Sequence, residues 1–211
     1  MERIIPVYGN REDKEAALKK AAGVILSGGI VAYPTESFYG LAASIRDDDA
    51  IERLYKIKGR EKGKPILILI PCVESLQSYV DDIPDYAQRL IGRFWPGGLT
   101  LLFRASEHVS HLLTAGTGKI GIRLSSHPLA TGLARAVGMA ITGTSANIST
   151  QPPCGDAIQV LKSVGKNVDL ILDGGKTEGG KGSTIIDVTV EPPVIVREGM
   201  IPREVIERHW G

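Results

Sequence analysis

The chain has 211 residues, of which 43% are hydrophobic and 23% charged, and its formal charge at pH 7 is +1. This length and composition predict a globular protein of one large domain or at most two small ones. The near-neutral charge excludes a surface that binds nucleic acid all over, although it leaves room for a local basic patch. No apolar run approaches the roughly 18 residues of a transmembrane helix, and residues 1–13 lack the pattern of a signal peptide. We therefore expect a cytoplasmic protein that does not enter a membrane.

The first half of the chain predicts helices that alternate with strands. Residues 12–27 mix charged and small apolar residues at helical spacing before a pair of glycines, which predicts a helix. The strand IVAY, 30–33, leads into the corner YPTESFYGLAAS, 33–44, whose two hydroxyls and two phenol rings are typical of a pocket lining. Three aspartates, 47–49, offer N-cap carboxylates to a second helix. The apolar run PILILI, 65–70, predicts a strand covered on both faces.

The second half of the chain predicts more strands than helices. Proline fits the first turn of a helix and Pro-Gly-Gly stops one, so a helix is expected to begin at Pro84 and to end at 96–98. The remaining predicted elements are, in order, the strands LTLLF and IGIRL, a helix from His127 to Val137, the strand MAIT, a short helix over 156–163, the strand DLILD, the glycine-rich loop 174–182, the strands STIIDVTV and VIVR, and a short helix after Pro202. This order predicts one α/β domain over 1–211 with a mixed, twisted sheet.

The segment KIKGREKGK, 56–64, is the main basic stretch. Gly59 should end the preceding helix, so Arg60, Lys62 and Lys64 are predicted to run extended and to project from one edge. Three cations on one edge would bind a polyphosphate or a nucleic-acid backbone. The alternative is a solvated loop that only joins a helix to a strand.

Two further segments carry small polar residues after a strand. In TGTSANIST, 142–150, open backbone N–H groups would bind an anion or a carboxylate, and the alternative is a local hydroxyl-capped turn. Residues 175–181 match part of a phosphate-binding P-loop, but Gly182 replaces the required Ser or Thr and a β-rich stretch follows instead of a helix. A P-loop NTPase is therefore not predicted, although Ser183 and Thr184 stay candidates for a phosphate or substrate contact.

Two arginines lie within apolar strand segments. Arg123 in IGIRL and Arg197 in VIVRE would each need an anionic partner if buried, either a carboxylate side chain or a ligand. For Arg197 the alternative is an ion pair with Glu198 or Asp187. Two such arginines favour an anionic ligand.

The cysteines and histidines predict no protein metal site. Cys72 and Cys154 lack metal-ligand spacing, and both suit a reducing compartment. His108 and His111 are three residues apart, with no third ligand beside them. His127, before a proline, is predicted to cap a helix.

Seven segments in order resemble the YrdC/TsaC family of L-threonylcarbamoyladenylate synthases: YPTESFYGLAAS, KGREKGKPILILI, PGGLTLLF, IGIRLSSHP, TSAN, GSTIIDV and VIVREG. The resemblance runs from about residue 10 to residue 200, nearly the whole chain. It implies an α/β fold with a twisted open sheet around a deep, positively lined cavity. It also implies a reaction in which L-threonine, bicarbonate and ATP give threonylcarbamoyl-AMP and pyrophosphate, with Mg²⁺ bridging the phosphates.

The same resemblance implies roles for individual residues. Those expected to contact L-threonine are Thr35, Ser37, Arg123, Gly143 and Ser183. Those expected to contact ATP are Lys58, Arg60, Lys64, Lys119, Ser145, Asn147, Pro153 and Arg197. Lys58 and Arg60 are also expected to be catalytic, because cations stabilise the negative charge of a phosphoryl-transfer transition state.

The chain departs from the family pattern in places that leave alternatives open. The frequent PGPxT is PGGLT here, which is expected to loosen the turn at Gly98, and Leu69 stands where many longer relatives have a histidine near threonine. We expect no counterpart here of the extra C-terminal domain of those relatives. One alternative is an RNA-binding module for double-stranded or transfer RNA, which 5% aromatic residues do not favour. The other is a paralogue that acts on a different carbamoyl acceptor. The expected partners are downstream threonylcarbamoyl-transfer proteins, with transfer RNA or double-stranded RNA as a further candidate.

Overall fold

The structure is a computed structural model that describes residues 3–209. Residues 1–2 and 210–211, which the predicted domain includes, lie outside the described residues. The helices are α1 (Arg11–Leu26), α2 (Asp48–Lys58), α3 (Asp85–Phe94), α4 (His111–Thr114), α5 (Pro128–Val137), α6 (Ala157–Ser163) and α7 (Arg203–Glu207), with a 3-10 helix at Val73–Ser78. The strands are β1 (Ile4–Pro6), β2 (Val31–Pro34), β3 (Tyr39–Ala42), β4 (Ile68–Leu69), β5 (Leu99–Arg104), β6 (Lys119–Arg123), β7 (Ile141–Thr142), β8 (Thr144–Ser145), β9 (Leu170–Asp173), β10 (Thr184–Asp187) and β11 (Val194–Arg197).

The strands form two mixed sheets flanked by helices, where the sequence predicts one mixed sheet. The first has the order β1-β9-β2-β3-β8 and the second the order β11-β10-β5-β6-β4-β7. Parallel pairs, such as β9 with β2 and β5 with β10, occur beside antiparallel pairs, such as β2 with β3 and β5 with β6. The predicted α/β class with a mixed sheet is thus confirmed.

The chain passes from one sheet to the other at Gly143. β7 belongs to the second sheet, β8 belongs to the first, and only Gly143 lies between them. A Cβ atom at this position would lie 2.5 Å from Cδ1 of Leu67, far inside van der Waals contact, so glycine fits here and a side chain does not. The isolated bridge between Ser44 and Ile141 also joins the two sheets.

Local signals explain why three of the predicted helices form where they do. The side chain of Asn10 accepts a hydrogen bond from the backbone of Asp13 at the start of α1, and Asp47 does the same for α2. Gly59 ends α2 in the left-handed conformation, as predicted. His127 caps α5 through its ring, which confirms the predicted cap.

Elements that depend on distant partners differ from the prediction. The run 65–70 forms a ladder only at β4, because its flanking residues bond to several different neighbours, such as Ile66 N–H to the Leu113 carbonyl. The strands β1, β3 and β8, the 3-10 helix and α4 are not predicted at all. β3 lies inside the corner YPTESFYGLAAS and pairs back onto β2.

The hydrophobic core consists of two buried clusters. In one of them α1 and α5 pack against β2 and β9 of the first sheet, and the other fills the space around the second sheet. Gly98 packs closely against the segment after β11, because a Cβ there would lie 2.9 Å from Cβ of Met200. The looser turn expected from PGGLT stays a prediction.

Candidate active site

A cavity of about 550 Å³ lies between the two sheets. The first sheet contributes the corner after β2 together with β3 and β8, and the second contributes β5, β6, β10 and β11. Ten of the residues predicted for the site line this cavity, namely Thr35, Ser37, Arg60, Arg123, Gly143, Ser145, Asn147, Pro153, Ser183 and Arg197. Tyr33 and Tyr39, the two phenol rings of the predicted pocket lining, are also there.

The hydroxyls of Thr35 and Ser37, in the corner after β2, have different roles. The Thr35 hydroxyl donates to the Phe38 carbonyl at 2.6 Å and accepts from the backbone N–H groups of Ser37 and Phe38, so it closes the turn. The Ser37 hydroxyl has Thr35 Oγ1, 3.4 Å away, as its hydrogen-bond partner in the described chain. Ser37 is therefore the hydroxyl that a ligand can engage.

Arg60 and Arg197 face the cavity without an ion-pair partner among residues 3–209. Arg60 donates to the carbonyls of Lys64 and Pro65, and Arg197 donates to the carbonyl and hydroxyl of Ser183, at 2.8 and 3.3 Å from Nη2. Partial burial of each guanidinium holds its pKa below the usual range. Two cations that lack carboxylates are a suitable site for an anionic ligand.

The surroundings of Arg197 decide two points that the sequence left open. β11 is an edge strand with exposed Val194 and Val196, rather than a buried one, and its arginine forms no ion pair with Glu198 or Asp187. Asp187 instead accepts from Lys119 Nζ at 2.6 Å.

Lys58 does not line the cavity, although it was predicted as an ATP contact and a catalytic residue. Its side chain is buried, and Nζ donates to the carbonyls of Ser145 and Asn147 and to the side-chain oxygen of Asn147, at 2.5, 2.9 and 3.2 Å. Burial, with the nearby Arg60 charge, lowers its pKa to about 8. The Lys58 ammonium therefore holds the TSAN segment from the side that faces away from the cavity.

Lys62, Lys64 and Lys119 are also absent from the lining. Residues 60–64 form a turn rather than an extended edge, and Lys62 and Lys64 pair with Glu52 and Glu61 at 3.2 Å on the surface. The predicted row of three cations on one edge is therefore wrong, because only Arg60 turns towards the cavity.

The TSAN segment itself is internally bonded. Ser145 Oγ donates to Asn147 Oδ1 and Asn147 Nδ2 donates to the Gln151 carbonyl, both at 2.5 Å. Leu69, where the family pattern often has histidine, is buried and lies outside the lining.

The sequence prediction missed two residues of functional interest. Thr100, the threonine of PGGLT, lines the cavity, and its Oγ1 lies 2.8 Å from Oγ of Ser183. Glu36, between Thr35 and Ser37, has Oε1 3.4 Å from Nη1 of Arg123. The quoted segments contain both, but only the folded chain shows their partners.

Two features of residues 3–209 bear on cofactors and membranes. No group of three or more His, Cys, Asp or Glu side chains is placed to hold a metal ion. No helix in this range has the length and apolar character to span a membrane.

Comparison with known proteins gives a consistent result. The sequence profile Sua5_yciO_yrdC, described as telomere recombination, matches residues 23–199. Threonylcarbamoyl-AMP synthase of Pyrococcus abyssi is 39% identical over 198 residues, and the alignment covers 94% of this chain and 58% of that protein. The Bacillus subtilis protein of the same name is 36% identical over 208 residues, covering 98% and 60%. This chain thus spans about three fifths of the length of both relatives.

A solved structure agrees with these sequences. The crystal structure of P. abyssi Sua5 complexed with L-threonine superposes with a TM-score of 0.93 at 39% identity and covers 97% of this chain and 60% of that one. The fold, the profile match and the identities agree along nearly all of the sequence. The chain belongs to the Sua5/YciO/YrdC family.

Proposed function

We propose that this chain is a threonylcarbamoyl-AMP synthase, which converts L-threonine, bicarbonate and ATP into threonylcarbamoyl-AMP, pyrophosphate and water. The observation that carries the proposal is that Ser37, Arg60, Ser145 and Arg197 line one cavity together with Arg123. The names of the Pyrococcus and Bacillus relatives support it, as does the L-threonine bound to Sua5.

The amino acid would lie at the end of the cavity formed by the β2–β3 corner. The Arg123 guanidinium is buried and lines the cavity, which suits the substrate carboxylate, and Ser37 suits a polar group of the same substrate. Gly143 lines the same cavity, where its backbone would face the amino acid, and a side chain at this position would collide with Leu67. Ser183 lies between this end and the nucleotide end, where it accepts from Arg197.

ATP would lie along Arg60, Arg197 and the TSAN segment. Both guanidinium groups lack carboxylates in the described chain, so the phosphates would supply the missing negative charge. Ser145 and Asn147 form a rigid wall because Lys58 fixes their carbonyls from outside the cavity. Lys58 would therefore support ATP binding without touching ATP.

The chemistry needs positioning and charge stabilisation more than covalent help. The neutral amine of threonine takes up the carbon of bicarbonate and water is lost, which gives a carbamate. A carbamate oxygen then bonds to the α-phosphorus and the bond to the β-phosphate oxygen breaks, releasing pyrophosphate. Arg60 and Arg197 would stabilise the charge that builds up on the phosphoryl oxygens. The narrow space between the sheets would protect the labile product from water.

Mg²⁺ would enter with ATP rather than through a set of protein ligands. In residues 3–209 no group of three or more His, Cys, Asp or Glu side chains is placed to hold a metal ion, and the proposal assigns Mg²⁺ to the phosphates of ATP. The ion would supply charge neutralisation at the phosphates. The product would then pass to proteins that transfer threonylcarbamoyl to an adenosine of transfer RNA, in the cytoplasm.

The direct test is a complete reaction mixture of purified protein, L-threonine, bicarbonate and MgATP. We expect release of pyrophosphate that depends on threonine and detection of threonylcarbamoyl-AMP by mass spectrometry. The absence of both products from folded protein would refute the proposal.

A matched pair of variants tests the amino-acid end. Arg123→Met should raise the KM for threonine about tenfold or more, because a buried charged hydrogen bond to the carboxylate is lost. Arg104→Met, an exposed arginine in the neighbouring strand β5, should leave this KM within about twofold of the wild type. Equal KM values for both variants would contradict the role of Arg123.

A further inference from the structure

Glu36 and Arg123 form a buried pair that is not a good hydrogen bond. Their side chains are 10% and 7% exposed, and Oε1 of Glu36 lies 3.4 Å from Nη1 of Arg123. Neither Oε1 of Glu36 nor Nε of Arg123 has a hydrogen-bond partner among the described residues. A buried carboxylate and guanidinium usually satisfy each other in a bidentate contact, so this pair is incomplete.

Ser125 holds Glu36 in this arrangement from the other side. The Ser125 hydroxyl donates to Oε2 of Glu36 at 2.6 Å, which leaves Oε1 directed at the arginine. Arg123 lines the cavity, whereas Glu36 does not and its Oε1 is inaccessible to solvent. A ligand in the cavity would therefore contact Arg123, whereas Glu36 would act on that ligand only through the electrostatic effect of the carboxylate.

The three arginines of the cavity differ in this respect. Arg60 and Arg197 have only carbonyl or hydroxyl acceptors within residues 3–209, but Arg123 has a carboxylate behind it. Arg60 and Arg197 accordingly carry uncompensated positive charge, whereas Glu36 balances the charge of Arg123 itself, although the Arg197 charge also acts on Arg123. A guanidinium that is balanced in this way suits a zwitterion, whose charges sum to zero, better than an anion of the same shape.

We propose that Glu36 is a specificity-determining residue, which acts through Arg123 to make the amino-acid end of the cavity select a net-neutral amino acid over net-anionic carboxylates. The identity of that amino acid as threonine rests on the function proposed above. The same charge balance directs polyphosphate to Arg60 and Arg197 and away from Arg123.

The test compares two ligands that differ in the amine alone. L-threonine has no net charge at neutral pH, whereas (R)-3-hydroxybutanoate keeps its carboxylate and hydroxyl but carries one negative charge. Isothermal titration gives the dissociation constant of each ligand, and their ratio measures selectivity for the neutral molecule. Glu36→Gln keeps the shape and removes the charge, so the ratio of hydroxybutanoate to threonine constants should fall about tenfold or more.

Three further variants complete the experiment. Glu107→Gln makes the same change at a side chain that is 88% exposed to solvent, so this control should keep the wild-type ratio. Glu36→Asp keeps the charge and should also keep most of the selectivity. Ser125→Ala removes only one hydroxyl, so it tests the proposal even if Glu36→Gln does not fold. It releases the Glu36 carboxylate and should lower the ratio about twofold or more.

The outcomes separate this inference from the proposed function. A wild-type ratio in both Glu36→Gln and Ser125→Ala would overturn the role of Glu36, even in a protein that makes threonylcarbamoyl-AMP. If the wild type does not bind threonine, the proposed function fails. The affinity for (R)-3-hydroxybutanoate then decides this inference alone: it should rise in Glu36→Gln, and an unchanged value would overturn it.

Discussion

Replacing Lys58 by methionine should remove a dependence of folding stability on pH. The pKa of Lys58 falls from 10.5 to about 8 in the folded protein, because burial and the Arg60 charge disfavour the ammonium. Below pH 8 the residue is protonated in both states, and the cost of burying its charge is fully present. Between about pH 8 and 10.5 the unfolded chain binds more protons than the folded one, so stability rises with pH. At about 1.4 kcal/mol per pKa unit, the relief across this range is about 3 kcal/mol.

Urea unfolding at pH 7, 8, 9 and 10 measures this effect. The free energy of unfolding of the wild type minus that of Lys58→Met should rise by about 2–3 kcal/mol across this series, on top of a constant term for the lost hydrogen bonds. The raised pKa values of Tyr33 and Tyr39 reduce stability above about pH 10, but both proteins share this loss and it cancels. Lys56→Met, an exposed lysine of the same helix, is the control and should show no such rise.

A difference between wild type and Lys58→Met that is constant from pH 7 to pH 10 would refute the reasoning. It would mean that the Lys58 ammonium in the folded protein is solvated as well as in water. The three oxygen acceptors around Nζ would then fully replace its hydration.

Three other predictions concern packing, the loop and the nucleotide end. Gly98→Ala places a Cβ 2.9 Å from Cβ and 3.0 Å from Sδ of Met200, so the free energy of unfolding should fall by about 1–3 kcal/mol. Met200→Ala removes Sδ but keeps Cβ, so it should restore only part of this loss. A Gly98→Ala variant as stable as the wild type would contradict the tight contact. Tyr39→Phe removes the hydrogen bonds of the phenol with the start of loop 174–182. The free energy of unfolding should therefore fall by about 1 kcal/mol, and hydrogen exchange of the loop amides should become faster. Unchanged exchange would show that other contacts hold the loop. Arg197→Met should raise the KM for ATP about tenfold or more, while the KM for threonine stays nearly constant. A parallel rise in both KM values would contradict the place of Arg197 at the nucleotide end.

The sequence predicted best the elements whose signals are local. Caps at Asp47 and His127 and the left-handed Gly59 act within one helical turn, so α2 and α5 have the predicted ends. β3 and β8 contain only four and two residues and depend on pairing with each other and with β2, which no local pattern specifies. The division into two sheets follows from such distant pairings and was not predictable for the same reason.

The candidate site shows a similar limit. The family resemblance predicted ten residues that do line the cavity, and the hydroxyls and arginines among them lie mostly at strand ends, which meet at sheet edges. The direction of each lysine could not be predicted, since the charge of Lys62 or Lys64 says nothing about the surface glutamates that bind it. Glu36 was missed because an acidic residue in a turn is usually solvated, and its burial depends on Arg123 and Ser125.

The passage of the chain through Gly143 has a mechanical consequence. A single residue joins the two walls of the cavity, and the bridge between Ser44 and Ile141 fastens them again nearby. Pulling the walls apart at this point would break strand pairing, so the back of the cavity behaves as a fixed seam. Any change in the width of the cavity is therefore expected away from this seam, for example at the glycine-rich segment 174–182, whose Gly179 N–H donates to the Ser37 carbonyl and whose Gly182 lines the cavity.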